Sequence, residues 1–390
     1  SAMNILYIRA ETYDKTPAIP RALIAGKDVF NKYIILSWNR DSTSERSLDT
    51  IANSSLFVFN KQAKRRSLYY LILTFKFQYW AFKHMLQNDF DVIQALDIES
   101  MIPSVLAVIL KRKKLIYDMR DPIAIDMRAP SHILNLYGTI RGHLLDNTIY
   151  AIDWILMAFA DKFILPNIKL IKYLGRWGRK TDSVLYIPNT CYDYNYKLEN
   201  NILKLNVSNN RIVRLAYLGC MAEDRGSKIL IDLCNNNPET VELYIAGNVK
   251  SESDLIDFEK IPNITYLGQL NYYETLSLIK QVDAIPILYN PGIRIHKTLL
   301  PTKFYESMMA GTPVIVAAGM DLLVDLIINN NLGYIVDYGD QSKLKEVIMR
   351  ISINKKKYAK ECRQYFLSEL ELTPFLENYK LFYLSIKNSK

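Results

Sequence analysis

Hydrophobic residues occur in two alternating kinds of stretch along the chain. Short runs rich in β-branched and aromatic residues, such as 4–9, 33–38, 90–95 and 115–118, are typical of strands covered on both faces of a parallel sheet. The stretches between them have the length and spacing of helices. The alternation predicts an α/β fold built on doubly wound parallel sheets, in which ligands bind beyond the carboxyl ends of the strands.

The alternation stops in a polar, asparagine-rich stretch and then starts again. Residues 191–210 therefore predict a linker between an N-terminal domain (1–190) and a C-terminal domain (211–372). A last helix over 373–390 is expected to pack back on the N-terminal domain. The second half predicts strands over 212–218, 241–246, 264–267, 283–288, 314–316 and 334–336.

The stretch 301–316 combines a short helix, a tight turn and a buried strand. Pro301 suits the start of the helix, and Gly311 suits the left-handed position just after its end. Lys303 and Glu306 are three residues apart near the helix start, where backbone N–H groups favour an anion. The spacing fits a ligand site, and it fits an ordinary surface pair of opposite charges as well.

The net charge of +9 lies in the first half of the chain. Residues 1–190 carry 26 Lys and Arg against 17 Asp and Glu, whereas residues 191–390 carry 23 of each kind. This asymmetry indicates an anionic partner for the first half, such as nucleic acid, anionic lipid or a phosphorylated acceptor. The four cysteines are widely spaced, so neither disulfides nor a zinc site is expected, and the cytoplasm is the expected compartment.

A basic cluster at 61–66 precedes an aromatic helix predicted over 68–86. The helix is too polar to cross a membrane. It fits a helix lying on anionic lipid, and it fits a helix covering the first sheet; one face can serve each purpose.

Four carboxylates follow predicted strands of the first half. They are Asp97, Glu99, Asp118 and Asp121. Their position at strand ends makes them candidates for the acceptor side of a site, with Asp121 the first candidate for a catalytic base. The alternative is that each one caps a turn.

Five motifs of the second half resemble, in family order, the GT-B glycosyltransferases, most closely the nucleotide-sugar-dependent family 4. They are LAYLG at 215–219 with Arg225-Gly226, LYIAG at 243–247, ITYLG at 264–268, the strand at 284–288, and Pro301-x-Lys303-x-x-Glu306 with Gly311 and Pro313. Stretches at 91–97, 117–121, 160–162 and 187–189 are also similar, so the resemblance covers nearly the whole chain. It implies two Rossmann-like domains facing a central cleft.

The resemblance implies a nucleotide diphosphate-sugar held mainly by the second domain. Glu306 would accept hydrogen bonds from the ribose hydroxyls, and Arg225 and Lys303 would neutralise the departing diphosphate as catalytic residues. No metal or other cofactor is expected, because these cations neutralise the charge and no Asp-x-Asp motif occurs near this site. Further implied donor contacts are Gly219, Gly247, Asn248, Leu267, Gly268, Arg294, Thr302 and Phe304.

The chain departs from the family pattern at three positions. Cys220 stands where the family has an arginine, so that diphosphate contact is either missing or supplied by Arg294 or Lys297. Thr298 stands where retaining members have a second glutamate, and Gln94 where the first domain has a histidine. The lysine-containing motif resembles a subgroup that works in bacterial surface polysaccharide assembly.

We therefore expect a retaining glycosyltransferase that acts on a lipid-linked or saccharide acceptor in O-antigen, capsule or exopolysaccharide synthesis. It would work at the cytoplasmic face of the membrane, with its N-terminal domain in peripheral contact with anionic lipid. If the enzyme inverts, Asp121 is the expected base. The alternative is a nucleotide-sugar 2-epimerase of the same architecture. A nucleic-acid-binding protein is disfavoured, because basic tails and recognised motifs are absent from the sequence.

Overall fold

The chain forms two compact units in a computed structural model. Unit 1 comprises Ser1–Pro188 and Thr373–Lys390, and unit 2 comprises Asn189–Leu372. The residues that the structure describes are 3–13, 17–40, 53–63, 68–120, 122, 136, 138–179, 181–200, 203–205, 212–248 and 260–388.

Unit 1 contains a seven-stranded sheet in which all strands are parallel. The strand order is β3-β2-β1-β4-β5-β6-β7, so the order reverses between β1 and β4. This order is that of a doubly wound sheet. The strands are β1 (Met3–Arg9), β2 (Phe30–Trp38), β3 (Ser54–Phe59), β4 (Val92–Leu96), β5 (Lys114–Asp118), β6 (Lys162–Leu165) and β7 (Val184–Tyr186).

Helices cover both faces of this sheet. One hydrophobic cluster lies under α2, α3, α4 and α5, and a second cluster lies under α1 and the C-terminal helix α11. The helix predicted over 68–86 therefore does cover the first sheet. The helices are α1 (Ala18–Gly26), α2 (Leu68–Gln87), α3 (Asp97–Lys111), α4 (Ile140–Met157), α5 (Ile171–Leu174) and, at the end of the chain, α11 (Leu372–Asn388).

Unit 2 repeats the doubly wound arrangement with six parallel strands. Two three-stranded ladders, β10-β9-β8 and β11-β12-β13, are joined by a bridge between Leu215 and Ala284. The order again reverses at the middle, between β8 and β11. The strands are β8 (Val213–Leu218), β9 (Val241–Ala246), β10 (Ile264–Tyr266), β11 (Ile285–Ile287), β12 (Val314–Ala317) and β13 (Gly333–Val336).

The helices of unit 2 pack on both faces of its sheet. Helix α7 begins with a capping box, because Asn271 and Glu274 each accept the other's backbone N–H. Helix α10 ends in a π-helical turn at Phe366–Leu370. The helices are α6 (Ser227–Asn236), α7 (Tyr272–Gln281), α8 (Thr302–Ala310), α9 (Asp321–Asn330) and α10 (Gln341–Tyr365).

The segment predicted as a linker, 191–210, is not a separate linker over its described part. Cys191 and Leu198 are buried in the core of unit 2. The Arg363 guanidinium donates to both carboxylate oxygens of Asp193, at 3.0 and 2.9 Å. Apolar and aromatic residues among the asparagines supply this packing, so unit 2 begins at Asn189 rather than at 211.

Candidate active site

The candidate donor site lies at the reversal point of the unit 2 sheet. The loop 219–226 follows β8, and the loop 288–297 follows β11, its neighbour at the reversal. Ligands of doubly wound sheets bind at this point, beyond the carboxyl ends of the strands. Helix α8 starts nearby, since Lys303 in its first turn reaches the end of β8.

Three glycines follow β8, β9 and β10 and meet at this edge of the sheet. The N–H of Gly219 donates to the Ala246 carbonyl at 2.8 Å, and the N–H of Gly247 donates to the Gly268 carbonyl at 2.9 Å. A Cβ on Gly247 would overlap the carbonyl of Gly219, and its φ is +138°. Only glycine fits at position 247, so no side chain separates this edge from a ligand.

Lys303 is a buried cation that is held by a carbonyl and two aromatic rings. Its Nζ donates to the Leu218 carbonyl at 2.6 Å and lies 5.3 and 5.4 Å from the ring centroids of Tyr217 and Tyr289. Its exposed fraction is 8%. Among the described residues, no carboxylate lies within 4 Å of the ammonium, so its charge remains available to an anion.

Arg225 lies beside the same tyrosine ring, on the loop after β8. Its Cζ is 5.7 Å from the Tyr289 centroid, and the side chain is exposed. The next residue, Gly226, has a φ of +78°, and a Cβ there would be 2.5 Å from the Leu288 carbonyl. This close approach of the two loops places Arg225 next to Tyr289.

Glu306 lies one turn after Lys303 on α8 and is partly buried. Burial raises the pKa of its carboxyl to about 7, and the charge of Lys303 opposes this shift. Near neutral pH the Glu306 carboxyl is therefore present in both its protonated and its ionised form. Its ionised form is a pure hydrogen-bond acceptor, as binding of a vicinal diol requires.

The other donor-site candidates fall into two groups. Asn248, Leu267 and Gly268 lie with the glycine edge, where the Asn248 carbonyl accepts from Met221 N–H at 3.1 Å. Thr302 starts α8, and Arg294 is exposed in the turn Arg294–Lys297.

Phe304 is placed differently from the donor contact that was expected. Its side chain is fully buried in the core of unit 2, and its N–H donates to the Pro301 carbonyl at 2.9 Å. It faces the core because it lies four residues before Met308, on the inner side of the helix. It is therefore removed from the donor contacts.

Cys220 and Thr298, the two residues of unit 2 that depart from the family pattern, both lie in loops beside the candidate donor site. Cys220 is an exposed free thiol directly after Gly219. Thr298 ends the turn Arg294–Lys297, and its hydroxyl donates to the Ile295 carbonyl at 3.4 Å.

Asp118 on the acceptor side is an internal ion-pair partner. It is fully buried, 2.6 Å from Nε of Arg120, and accepts from Gln94 Nε2 at 2.7 Å. Gln94 in turn accepts from Tyr383 OH at 2.5 Å and contacts Tyr379 OH at 2.7 Å, both on α11. Gln94, at the position where the family has histidine, thus connects the C-terminal helix to the sheet. Because Asp118 is buried and paired with Arg120, the expectation that it contacts the acceptor is wrong.

Asp97 and Glu99 lie in the first turn of α3, at the carboxyl end of β4. Asp97 has a φ of +60° and accepts the N–H of Arg120 at 2.9 Å. Tyr70 OH donates to Glu99 at 3.5 Å. Both are partly exposed, whereas Asp121 lies outside the described residues.

Two features of the units were not identified from the sequence. The first is that the rings of Tyr217 and Tyr289 contact the cations of Lys303 and Arg225. The only local sign of this in the sequence is a tyrosine near the end of each of two adjacent strands. The second is a buried carboxyl in unit 1, Asp153, which accepts from Tyr117 OH at 2.8 Å and Tyr173 OH at 3.1 Å. Burial raises its pKa to about 7, against the effect of the two hydroxyl donors.

Among the described residues, no group of three His, Cys, Asp or Glu side chains is arranged to hold a metal ion.

Comparison with known proteins matches this architecture. Residues 195–366 match the family described as Glycosyl transferases group 1. No curated protein sequence matches the chain.

Solved structures match the full length of the chain at low sequence identity. Sucrose-phosphate synthase from Thermosynechococcus elongatus matches with a TM-score of 0.75 at 14% identity, over 100% of both chains. HepE from Anabaena, in complex with UDP-glucose, matches at 0.64 and 14%, over 98% of this chain and 99% of its own. The lipopolysaccharide outer core galactosyltransferase WaaB matches at 0.62 and 12%, over 98% and 99%. A UDP-GlcNAc 2-epimerase from Neisseria meningitidis also matches, at 0.58 and 13%, over 100% of both chains.

These matches define the class of the protein. Unit 2 carries the residues that match the glycosyl transferases group 1 family, and the chain has the GT-B fold of two Rossmann-like domains seen in the matching glycosyltransferases. The expected fold and enzyme class are thereby confirmed.

Proposed function

We propose that this enzyme transfers a sugar from a nucleotide diphosphate-sugar to a lipid-linked or saccharide acceptor, with retention of configuration, in bacterial surface polysaccharide synthesis. The observation that carries the donor part is the pair of cations at the reversal point of unit 2. Lys303 and Arg225 have no carboxylate within ion-pair distance among the described residues, so they suit a dianionic diphosphate.

The reaction breaks the bond between the sugar C1 and the terminal phosphate oxygen, and forms a bond from C1 to the acceptor oxygen. Negative charge develops on the departing diphosphate, where Lys303 and Arg225 would stabilise it. In a retaining reaction the acceptor proton passes to the departing phosphate oxygen, so no strong protein base is needed. In an inverting reaction a carboxylate of unit 1 must take that proton, and Asp121 remains the proposed base.

Two features support an acceptor in surface polysaccharide synthesis. One is the resemblance of the lysine-containing motif to enzymes of that process, and the other is the structural likeness to WaaB. Asp97 and Glu99 are the proposed acceptor contacts, since both lie at the carboxyl edge of the unit 1 sheet. We assign charge neutralisation to Lys303 and Arg225 rather than to a metal.

A contact with anionic membrane at the cytoplasmic face is proposed through the outer side of α2. That helix has no acidic residue, and it exposes Tyr69, Phe75 and Tyr79, with Phe75 at 70% exposure. Lys76 and Lys83 are exposed among them. Rings that enter the lipid interface and lysines that attract anionic headgroups give the combination found in interfacial helices.

The neighbouring helices extend this apolar surface. Leu106, Ile109 and Leu110 are exposed on α3, and Ile152 and Ile155 are exposed on α4. Because α2, α3 and α4 pack on the same face of the sheet, their outer sides share one surface. Exposed apolar side chains gathered on one side of a domain are typical of an interaction site. Within the part of the chain that the structure describes, no helix is both long and apolar enough to cross a membrane.

A thermal-shift panel of UDP, GDP, ADP, CMP and dTDP tests the donor proposal, followed by a hydrolysis assay with the matching sugars. One nucleoside diphosphate should stabilise the wild-type chain, and Glu306→Ala should remove that stabilisation. Lys345→Ala, an exposed lysine on α10, serves as the control and should behave as wild type. Stabilisation of Glu306→Ala equal to wild type would show that the site is misplaced.

Sedimentation with anionic vesicles tests the membrane proposal. The double variant Phe75→Ser, Tyr79→Ser should bind more weakly than wild type, and added salt should reduce the wild-type binding. Ile24→Ser changes an exposed residue on the opposite face of the sheet and should leave binding unchanged. Wild-type binding that is absent or insensitive to salt would contradict this contact.

A nucleotide-sugar 2-epimerase is the second candidate, because an epimerase is among the structural matches. It would convert the donor without any acceptor. Formation of an epimerised sugar from the donor alone would favour it, whereas transfer only when an acceptor is added would exclude it.

A further inference from the structure

We infer that Tyr289 is a positioning residue whose ring holds both Lys303 and Arg225 without cancelling their charge. The inference rests on the proposed function, because the role of the two cations as a diphosphate clamp is proposed there. Tyr289 follows β11 and is 4% exposed. Its centroid lies 5.4 Å from Lys303 Nζ and 5.7 Å from Arg225 Cζ.

An aromatic ring solves a conflict at such a site. A buried ammonium needs an electrostatic partner, and a carboxylate is the usual one. A carboxylate would also neutralise the ammonium and compete with an incoming diphosphate. The face of a ring attracts a cation through its quadrupole but adds no net charge. Lys303 is therefore held between Tyr217 and Tyr289 without a counter-charge from either ring.

The orientation of the Tyr289 ring is fixed by the surrounding loops. His296 is buried with its ring centroid 5.0 Å from that of Tyr289, and its Nδ1 is 2.8 Å from the Asn290 carbonyl. The N–H of Asn290 donates to the Asp224 carbonyl at 2.8 Å. The loop that carries Arg225 and the loop that carries Tyr289 are thus tied together immediately beside the ring.

Calorimetric titration with inorganic pyrophosphate tests this role, because pyrophosphate probes the clamp whichever base the donor carries. Tyr289→Phe keeps the ring and should bind within about twofold of wild type, whereas Tyr289→Leu should bind about tenfold more weakly. The decisive series places one, two or three fluorines on the ring of the Tyr289→Phe variant. Fluorine withdraws electron density from the ring face with little change in size, so the affinity for pyrophosphate should fall with each added fluorine.

Two results would overturn the inference. One is a fluorine series with constant pyrophosphate affinity, and the other is a folded Tyr289→Leu variant that binds as wild type does. The fluorine series does not depend on whether Tyr289→Leu folds. A constant series combined with nucleoside diphosphate stabilisation of the wild type would reject the role of Tyr289 and leave the proposed function intact. A graded series without any nucleotide response in the panel would support the ring's role and reject the nucleotide donor.

Discussion

The two sheets have the same order of strands around the point of reversal, but the charged side chains at their carboxyl edges have different partners. In unit 1, Asp118 and Arg120 form a buried ion pair, and Glu11 accepts from Arg40. In unit 2, Lys303 and Arg225 lie against aromatic rings, with no carboxylate at ion-pair distance among the described residues.

The difference separates charges that hold the fold from charges that are available to a ligand. A buried charge with an internal partner rigidifies its surroundings, and its loss leaves the partner uncompensated. A cation held by a ring retains its attraction for an anion. The same residue types at equivalent strand ends should therefore respond differently to substitution, and five experiments can break or sharpen this contrast.

The largest effect is expected for Arg120→Met. It leaves the fully buried Asp118 without its cation, which should cost about 3–5 kcal/mol in the free energy of unfolding. All four tryptophans of the chain lie in unit 1, at 38, 80, 154 and 177, so their fluorescence in urea reports the unfolding of that unit.

Arg225→Met is the matched substitution in unit 2. Because this side chain is exposed, its removal should change the free energy of unfolding by no more than about 0.5 kcal/mol. Circular dichroism follows this change, since unit 2 has no tryptophan. Equal losses in the two variants would remove the distinction between the two edges.

Lys303→Met should lower the rate of sugar transfer or donor hydrolysis by about 10²–10³, comparable to the loss of one preorganised group that stabilises the transition state. Unfolding of unit 1 followed by tryptophan fluorescence should not change. Lys345→Met is the control with the same change of side chain at an exposed site. A rate near that of wild type for Lys303→Met would show that the ammonium does not act on the departing group.

Asp153→Asn tests the paired interior of unit 1 through its pH dependence. The folded carboxyl has a pKa of about 7, above its ordinary value, so the folded chain binds a proton that the unfolded chain has released. The stability due to this proton is present at low pH and is lost as the pH rises from about 4 to about 7, by roughly 4 kcal/mol. Urea midpoints of wild type and variant, compared at several pH values, should converge or cross over this interval; parallel curves would contradict the expectation.

The smallest effect on ligand binding or catalysis is expected for the pH dependence of donor binding at Glu306. Its pKa of about 7 means that the acceptor form increases as the pH rises, so nucleotide-sugar affinity should increase by about tenfold between pH 6 and pH 8. The charge of a nucleotide-sugar is constant in this range. Glu306→Gln should bind more weakly and show no such dependence, and a wild-type profile that is flat would argue against contact of this carboxylate with the donor.

Local sequence was sufficient to predict most strands. The runs at 314–316 and 334–336 were predicted as strands because β-branched and aromatic residues that are adjacent in the sequence favour a strand. The glycines at 219, 247 and 268 were expected as donor contacts from the family resemblance, and each lies just after a strand. The roles of Phe304 and Asp118 were not predictable in this way, since spacing does not distinguish a side chain that enters the core from one that faces a ligand.

By itself the sequence determined the α/β class, the two doubly wound units and the position of the Lys303–Glu306 motif. These depend on periodicity and on motif order along the chain. Only the tertiary structure decided which charges are cancelled, because the partners are distant in sequence. Gln94 bonds to Asp118 and to Tyr379, 24 and 285 residues away, and Lys303 bonds to Leu218, 85 residues away. Such pairings arise when strand ends meet at a sheet edge, and no local pattern of the chain records them.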